Sequence, residues 1–514
     1  MQISKLITFL PLLPFLLHSP HLSNANQPIQ AIVVLVLENR SFDHMLGWLD
    51  KDSSSSPTVD GLTGEECNPR STEEGLGSSV VCVSDDAQYV DPDPGHSFEA
   101  VKEQVFGTST NSNIPTMSGF VEQALTISDD LSTAVMKGFN PKSIPVFTKL
   151  SQEFATFDRW FSSLPGPTQP NRLFVYSATS HGATSHNKWH LAKGYPQKTI
   201  FDSLHEDGLD FNVYFENAPT TLFYRNMRKL KYVRKFHKYG TFLDHARDGR
   251  LASLSVIEPR YFDMKGKPAN DDHPSHDIAN GQKLVKEVYE ALRSSPQWNE
   301  SLLVITYDEH GGFYDHVVTP YTGIPNPDGI LGQDNFGFDR LGVRVPTIVV
   351  SPWIKRGTVV NKPKGPAENS EFEHSSIPAT IKKMFNLTSG FLTQRDAWAG
   401  TFEGVVTELT SPRTDCPLVL PDVPPLRTTQ ADEDRYVSEF QSEIVELAST
   451  LNGDHSLNIE SLETKRRMKV KEADGYVDRA ISSFFKACEE AISMGLEEST
   501  IVNLEASDTT TGAP

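Results

Sequence analysis

Two pairs of acidic and amide residues stand directly after apolar runs of the chain. The four residues are Glu38, Asn39, Asp308 and Glu309. The first pair follows Ile32 to Leu37, and the second follows Ser301 to Tyr307. Carboxylate and amide oxygens suit hard cations such as Mg2+, Ca2+ or Mn2+, and nearby histidines leave zinc or iron open. We therefore predict a metal site here; the alternative is a strand-ending turn in which Asn39 caps the next helix and Glu38 is solvated.

A hydroxyl and a guanidinium lie four residues apart between these pairs. Pro170 fits the first turn of a helix, which makes Thr168 either the helix N-cap or a nucleophile held at its positive end. Arg172 lies on the same helical face, where it would bind a phosphoryl oxygen while the Thr168 hydroxyl attacks phosphorus. This pairing favours the nucleophile over the cap.

The apolar runs before the acidic pairs lack alternation, which predicts strands buried on both faces of a largely parallel sheet. Further strands are predicted at Asn212 to Glu216, Leu254 to Glu258 and Thr347 to Ser351, with a helix over Ile278 to Arg293. Strands that alternate with helices predict a doubly wound α/β sheet. Such sheets bind ligands beyond the carboxyl ends of their strands, where the acidic pairs stand.

Five motifs occur in order along the chain. They are Glu-Asn-Arg-Ser-Phe-Asp-His at 38–44, Pro-Thr-x-Pro-Asn-Arg at 167–172, Asp-Asp-His-Pro at 271–274, Tyr-Asp-Glu-His-Gly-Gly-Phe-Tyr-Asp-His-Val at 307–317 and Gly-x-Arg-Val-Pro at 342–346. Together they resemble the plant non-specific phospholipase C family, which is similar to bacterial phospholipases C and to acid phosphatases. The resemblance runs from about residue 27 to about residue 400. It implies a fold of the alkaline-phosphatase-like type.

The resemblance also assigns roles to single residues. It implies that Thr168 is the nucleophile, and that Glu38, Asn39, Asp308 and Glu309 form the active site around one divalent ion whose identity and necessity stay open. His96, in the segment 93–98, and His273 match histidines that the family places near the phosphate. Thr168-x-Pro-x-Arg172 also echoes the sulfatase signature, but threonine cannot become formylglycine, which argues against a sulfatase.

The implied reaction is hydrolysis of glycerophospholipids such as phosphatidylcholine and phosphatidylethanolamine, which makes the protein a phosphoric diester hydrolase of the phospholipase C type. Thr168 would form a phosphothreonine and release diacylglycerol, His273 would protonate the departing glycerol oxygen, and Arg172 or the cation would carry developing charge. A phosphomonoesterase of the acid phosphatase or lysophosphatidate phosphatase type is the alternative. A catalytically silent lipid-binding protein is an alternative of another class.

The charge balance limits the partners. The 514 residues carry a formal net charge of -20, which argues against nucleic acid and against general attraction to anionic membranes. Contact with phospholipid at a membrane surface is then peripheral and local. One basic segment, from Arg225 to Lys238, is either a solvated face or a surface facing lipid headgroups. We expect no transmembrane segment.

The first 25 residues read as a signal peptide, with Lys5 before the apolar stretch Leu6 to Leu17. We therefore expect the secretory pathway, with a secreted or endomembrane-lumenal product. That route permits disulfides, and Cys67 with Cys82 would close a modest loop, although the sequence leaves all pairings open. The sequons at Asn299 and Asn386 are candidate glycan sites, whereas the formal sequon at 39–41 should be bare.

Changes in residue composition along the chain predict a signal peptide at 1–25, a catalytic domain at 26–415, a C-terminal helical region at 416–506 and a disordered tail at 507–514. Residues 51–95 read as a long surface excursion that could form part of a lid. Helices are predicted at Ala431 to Leu451 and Glu460 to Met494. No second cluster of acids, bases or ligands follows Pro417, so we expect this helical appendage to support the catalytic domain, or to dock a membrane or partner, without supplying catalytic groups.

Overall fold

The computed structural model describes residues 28–49, 58–73, 79–108, 114–185, 188–453 and 467–496. The predicted signal peptide, the predicted tail and parts of the 51–95 excursion lie outside these residues. No helix within the described ranges is long and apolar enough to cross a membrane.

A mostly parallel sheet organises the protein. The described strands are β1 (Ala31–Leu37), β2 (Cys67–Pro69), β3 (Val80–Cys82), β4 (Ala155–Phe157), β5 (Trp160–Phe161), β6 (Phe211–Phe215), β7 (Phe236–Lys238), β8 (Leu254–Glu258), β9 (Ser301–Tyr307), β10 (Thr347–Val350), β11 (Thr358–Val360) and β12 (Phe372–Glu373). Eight of them form one sheet in the order β11-β4-β10-β9-β1-β8-β6-β7. In this sheet β10 alone runs against its neighbours. The predicted α/β class is confirmed.

Helices surround this sheet. The described α-helices are α1 (Phe42–Leu46), α2 (Phe98–Phe106), α3 (Phe120–Leu125), α4 (Asp129–Ala134), α5 (Pro145–Glu153), α6 (Thr168–Ser177), α7 (Lys188–Lys193), α8 (Ile200–Glu206), α9 (Leu230–Val233), α10 (Gly240–Arg247), α11 (Ile278–Ser294), α12 (Ser376–Met384), α13 (Gln394–Trp398), α14 (Glu439–Asn452) and α15 (Val470–Ser493). Short 3-10 helices span Thr220–Phe223, Arg225–Arg228, Trp298–Glu300, Gln333–Asn335 and Glu403–Val406. Every residue of β1 and β9 is buried, as expected for strands covered on both faces.

The four cysteines form one disulfide and leave two free thiols. Cys67 and Cys82 face each other across the β2–β3 pair and form a disulfide. Cys416 and Cys488 are free thiols, and both are buried. The pairing that the sequence left open is therefore resolved in favour of a single bond among the four.

The C-terminal helices pack on the sheet domain. Phe440 of α14 meets the ring of Tyr261 edge to face at 5.4 Å, and Phe485 of α15 stacks on Phe215 at 5.8 Å. The predicted helix from Ala431 begins instead at Glu439. The chain before it is held extended by a bridge of residues 435–437 to 468–470, which a helix could not make.

Candidate active site

The carboxyl ends of β1 and β9 bring the two predicted polar pairs together. These strands are adjacent and parallel, with Leu37 opposite Tyr307, so the following residues leave the sheet side by side. The backbone N–H of Asn39 donates a hydrogen bond to Oδ1 of Asp308 at 3.1 Å. All four predicted metal ligands are buried at this edge: Glu38, Asn39, Asp308 and Glu309.

The alternative of a solvated, strand-ending turn is wrong. Ser41, not Asn39, caps α1, because its hydroxyl accepts the backbone N–H of His44 at 3.1 Å. Asn39 instead adopts a left-handed backbone with φ of 59°, which is uncommon outside glycine. Gly311, with φ of 65°, passes so close that a Cβ atom there would lie 2.1 Å from the carbonyl oxygen of Asn39. The backbone around Asn39 is thus fixed by its neighbours.

Thr168 is the first residue of α6, and its side chain does not cap the helix. Pro167 occupies the N-cap position, without a side-chain cap bond. The hydroxyl of Thr168 donates instead to Oδ1 of Asn39 at 3.1 Å. The Asn171 amide donates to the carbonyl oxygens of Gly166 and Pro167 at 2.9 and 3.2 Å, which fixes the turn leading into the helix. The interpretation of Thr168 as the N-cap of the helix is therefore wrong. Its role as nucleophile stays a prediction.

Arg172 is buried and bonded to the acidic pairs. Its Nε donates to Oδ2 of Asp308 at 3.0 Å, and its Nη2 donates to Oε1 of Glu38 at 3.1 Å. The same Nη2 lies 3.2 Å from the carbonyl oxygen of Val36. The guanidinium thus neutralises carboxylates at the strand ends, and its predicted contact with a phosphoryl oxygen stays a prediction.

Carboxyl groups outnumber the single guanidinium in this buried cluster. Burial raises the pKa of Asp308 to about 6, although Arg172 opposes the shift. Burial also raises the pKa of Glu38 well above its usual range. Oε1 of Glu309 is buried and accepts no hydrogen bond from any residue that the structure describes. This unpartnered oxygen suits a hard divalent cation, whereas Arg172 already pairs with Glu38 and Asp308.

Two histidines lie beside Asn39. Nε2 of His96 is 3.5 Å from Nδ2 of Asn39, and the His96 and His273 rings meet edge to face at 6.2 Å. Asp93 lies between them, with Oδ2 at 3.6 Å from Nδ1 of His96 and 3.4 Å from Nε2 of His273. Asp93 is a site residue that was not predicted from the sequence, where its one signal is a carboxylate three residues before His96.

The pKa values of the His96 and His273 imidazoles are shifted in opposite directions by their surroundings. Burial opposes the charged form of His96, but Asp93 and Glu309 outweigh it and raise the pKa of His96 to about 9. Burial raises the pKa of Asp93 to about 7. Burial, together with His276 and His96, lowers the pKa of His273 well below its usual range. In the free site at neutral pH, His96 is therefore cationic and His273 neutral.

The loop that carries His273 holds a second histidine. Both His273 and His276 are buried. Nδ1 of His276 lies 2.6 Å from Oδ1 of Asp271. His276 is thus bound within its own loop.

Two sets of carboxylates and imidazoles in the described chain each bring three ligand atoms within 4.8 Å of one another. One is Asp93, His96 and His273, and the other is Asp43, Asp315 and His316. In the second set Arg344 already pairs with Asp43 and Asp315, both at 2.9 Å. A guanidinium therefore occupies the cation position there.

Comparison with known proteins identifies relatives over most of the chain. The sequence profile of the Phosphoesterase family matches residues 29–388. Non-specific phospholipase C6 of Arabidopsis thaliana is 64% identical over 94% of this chain and 92% of its own. Non-specific phospholipase C1 of the same plant is 55% identical over 95% and 91%, respectively. Phospholipase C B of Mycobacterium tuberculosis (strain ATCC 25618 / H37Rv) is 25% identical over 72% and 76%.

Proposed function

The chain belongs to the phosphoesterase family and, within it, to the non-specific phospholipases C, and we propose that it hydrolyses glycerophospholipids to diacylglycerol and a phosphorylated headgroup. The observation that carries the proposal is the hydroxyl of Thr168, held at 3.1 Å from Asn39 at the buried acidic edge of the sheet. The names of the relatives support the same substrate class. A phospholipase C activity requires cleavage on the glycerol side of phosphorus.

In the proposed mechanism Thr168 Oγ1 attacks phosphorus, and the bond from phosphorus to the glycerol oxygen breaks. Thr168 loses one proton and the glycerol oxygen gains one. The Thr168 proton would pass to solvent, and His273, neutral in the free site, would take up a proton from solvent and donate it to the glycerol oxygen. Water then adds its hydroxyl to phosphorus and returns its hydrogen to Thr168, which releases the phosphorylated headgroup.

Charge in the transition state would be met by groups around the strand ends. His96, cationic at neutral pH, would stabilise the phosphoryl oxygens. Glu38, Asn39, Asp308 and Glu309 would hold a divalent cation, which would neutralise phosphoryl charge and favour ionisation of the Thr168 hydroxyl. Arg172 supports this site by pairing with Glu38 and Asp308.

Contact with the lipid surface would be peripheral. Part of the basic segment is unsuited to this role, because Arg228 is buried and donates to the carbonyl oxygens of Leu222, Ala192 and Leu191. Lys231 and Arg234 are exposed and remain available to headgroups. We propose that any headgroup contact by this segment is made by these exposed cations.

We also propose passage through the secretory pathway and a division into a catalytic domain at 26–415 and a helical region at 416–506. The Cys67–Cys82 disulfide supports an oxidising compartment. Asn299 and Asn386 are exposed, as glycan acceptors must be, whereas Asn39 is buried.

Mass spectrometry of the products from mixed phospholipid vesicles tests the proposed reaction. We expect diacylglycerol together with phosphocholine and phosphoethanolamine. Phosphatidic acid would mean cleavage on the headgroup side, and inorganic phosphate released from lysophosphatidate alone would mean a phosphomonoesterase. Vesicle binding without any product would mean a lipid-binding protein.

A further inference from the structure

Asp93 is an acidic residue that the proposed mechanism does not use, yet it touches both histidines. One oxygen, Oδ2, lies 3.6 Å from Nδ1 of His96 and 3.4 Å from Nε2 of His273. Its other oxygen, Oδ1, is buried without a hydrogen-bond donor among the described residues. The carboxylate therefore lies between two imidazoles that come from distant parts of the chain.

The loop that carries Asp93 is fixed to the acidic edge of the sheet. Nε2 of Gln104 donates to the carbonyl oxygen of Gly95 at 2.6 Å, and Oε1 of the same side chain lies 2.8 Å from Nε2 of His310. His310 directly follows Glu309, one of the predicted metal ligands. Gln104 thus links the loop of Asp93 to the strand end that carries Glu309.

These contacts form a continuous path across the site. It runs from the Thr168 hydroxyl to Asn39 at 3.1 Å, and from Asn39 to His96 at 3.5 Å. Asp93 is the link that extends the path to His273. Without Asp93, the contacts that start at Thr168 would end at His96 and would not reach His273, the proposed proton donor.

We propose that Asp93 is a positioning residue that orients His273 for proton donation to the leaving glycerol oxygen. A carboxylate against one ring nitrogen fixes the orientation of an imidazole and stabilises its protonated form during the reaction. The contact of Asp93 Oδ2 with Nε2 of His273 at 3.4 Å places the carboxyl group where it can hold the ring in one orientation. The inference rests on the proposed function.

The leaving group offers a test that damage to the fold would not imitate. An alkoxide leaves only with a proton, whereas p-nitrophenolate leaves without one. For Asp93→Asn we expect kcat on phosphatidylcholine vesicles to fall about 100-fold, with little change in KM. On p-nitrophenylphosphorylcholine we expect a fall of no more than about threefold, since acid catalysis is there dispensable.

Two further variants complete the experiment. Asp91→Asn alters the same loop at an exposed ion pair with Arg435 and should change neither activity. His273→Ala should show the same dependence on the leaving group, and adding Asp93→Asn to it should cost nothing more. If Asp93→Asn does not fold, Asp93→Glu, which keeps the charge but moves it, should show a smaller loss with the same substrate dependence.

Equal losses on both substrates, or additive losses in the double variant, would overturn the positioning role while leaving the proposed function intact. A wild-type protein that releases no diacylglycerol would overturn the proposed function and this inference with it.

Discussion

The hydroxyl of Thr168 and the side-chain oxygen of Asn39 lie 3.1 Å apart, which joins the first residue of α6 to the residue that follows β1. This hydrogen bond and the contact of Arg172 with the carbonyl oxygen of Val36 link the helix to the strand beside the acidic edge of the sheet. The contact is buried, so a change in it affects the site without altering the surface.

We expect Thr168→Ala to abolish hydrolysis while leaving the protein folded, because a methyl group cannot attack phosphorus and a lost neutral hydrogen bond costs about 1 kcal/mol. Thr168→Ser keeps a hydroxyl and should retain measurable turnover. Product release from phosphatidylcholine and circular dichroism would be measured for both. Turnover of the alanine variant close to that of the wild type would remove Thr168 from the nucleophile role.

Arg172→Met should destabilise the protein by about 3–5 kcal/mol, because Glu38 and Asp308 would lose their buried counter-charge. Urea denaturation gives the free energy of unfolding. Arg250→Met is the matched control, since the Arg250 side chain is 59% exposed in its pair with Asp248 and should change stability by less than about 1 kcal/mol. Similar values for both variants would show that the carboxylates at the strand ends do not depend on Arg172.

Stability should fall as the pH rises above neutrality, in part because of His316. Burial opposes its charged form, but Asp43 and Asp315 outweigh burial and raise the pKa of His316 to about 9. Unfolded histidine titrates near pH ~6.5. Because the folded pKa is the higher one, the stabilisation is complete below about pH 6.5 and is lost as the pH rises through about 9. We expect a loss of about 2–3 kcal/mol, measured by urea denaturation across this range.

The variant that isolates this contribution is His316→Gln, which cannot gain the proton. Its free energy of unfolding should vary less between pH 6.5 and 9 than that of the wild type, over the range set by the two pKa values. An equally steep decline would assign the pH dependence to other groups.

Phe440→Ala should lower both stability and turnover of a small soluble phosphodiester. The Phe440 ring packs on Tyr261 and lies 5.5 Å from the guanidinium of Arg172, so its removal uncovers the charged cluster. We expect a loss of about 3 kcal/mol in unfolding free energy. Tyr436→Ala, at a residue that is 57% exposed, serves as the control. Unchanged turnover in Phe440→Ala would show that the helical region does not support the site.

Much of the fold follows from apolar runs in the sequence. The pattern predicts β8 and β9 with their observed ends and places β1 and β6 within one residue, because strands buried on both faces leave an unbroken apolar signal. The acidic pairs could be predicted to meet because parallel neighbours end at one edge.

Other features depend on contacts that the sequence does not encode locally. Thr168 precedes Pro170 at a spacing that suits a cap, and only the folded chain shows Pro167 in that position. Arg172 could face substrate or carboxylates at the same helical spacing. The sequence does not single out Asp93, because its contact with His273, far along the chain, exists only in the folded protein.

The two free, buried thiols can be used to detect local opening of the native structure. Cys488 is fully buried within α15, and Cys416 is buried where the chain leaves the sheet domain. An alkylating reagent can reach either thiol only when the surrounding structure opens. The rate at which Cys488 is modified, relative to Cys416, therefore measures how often the terminal helix detaches while the rest of the native protein remains closed.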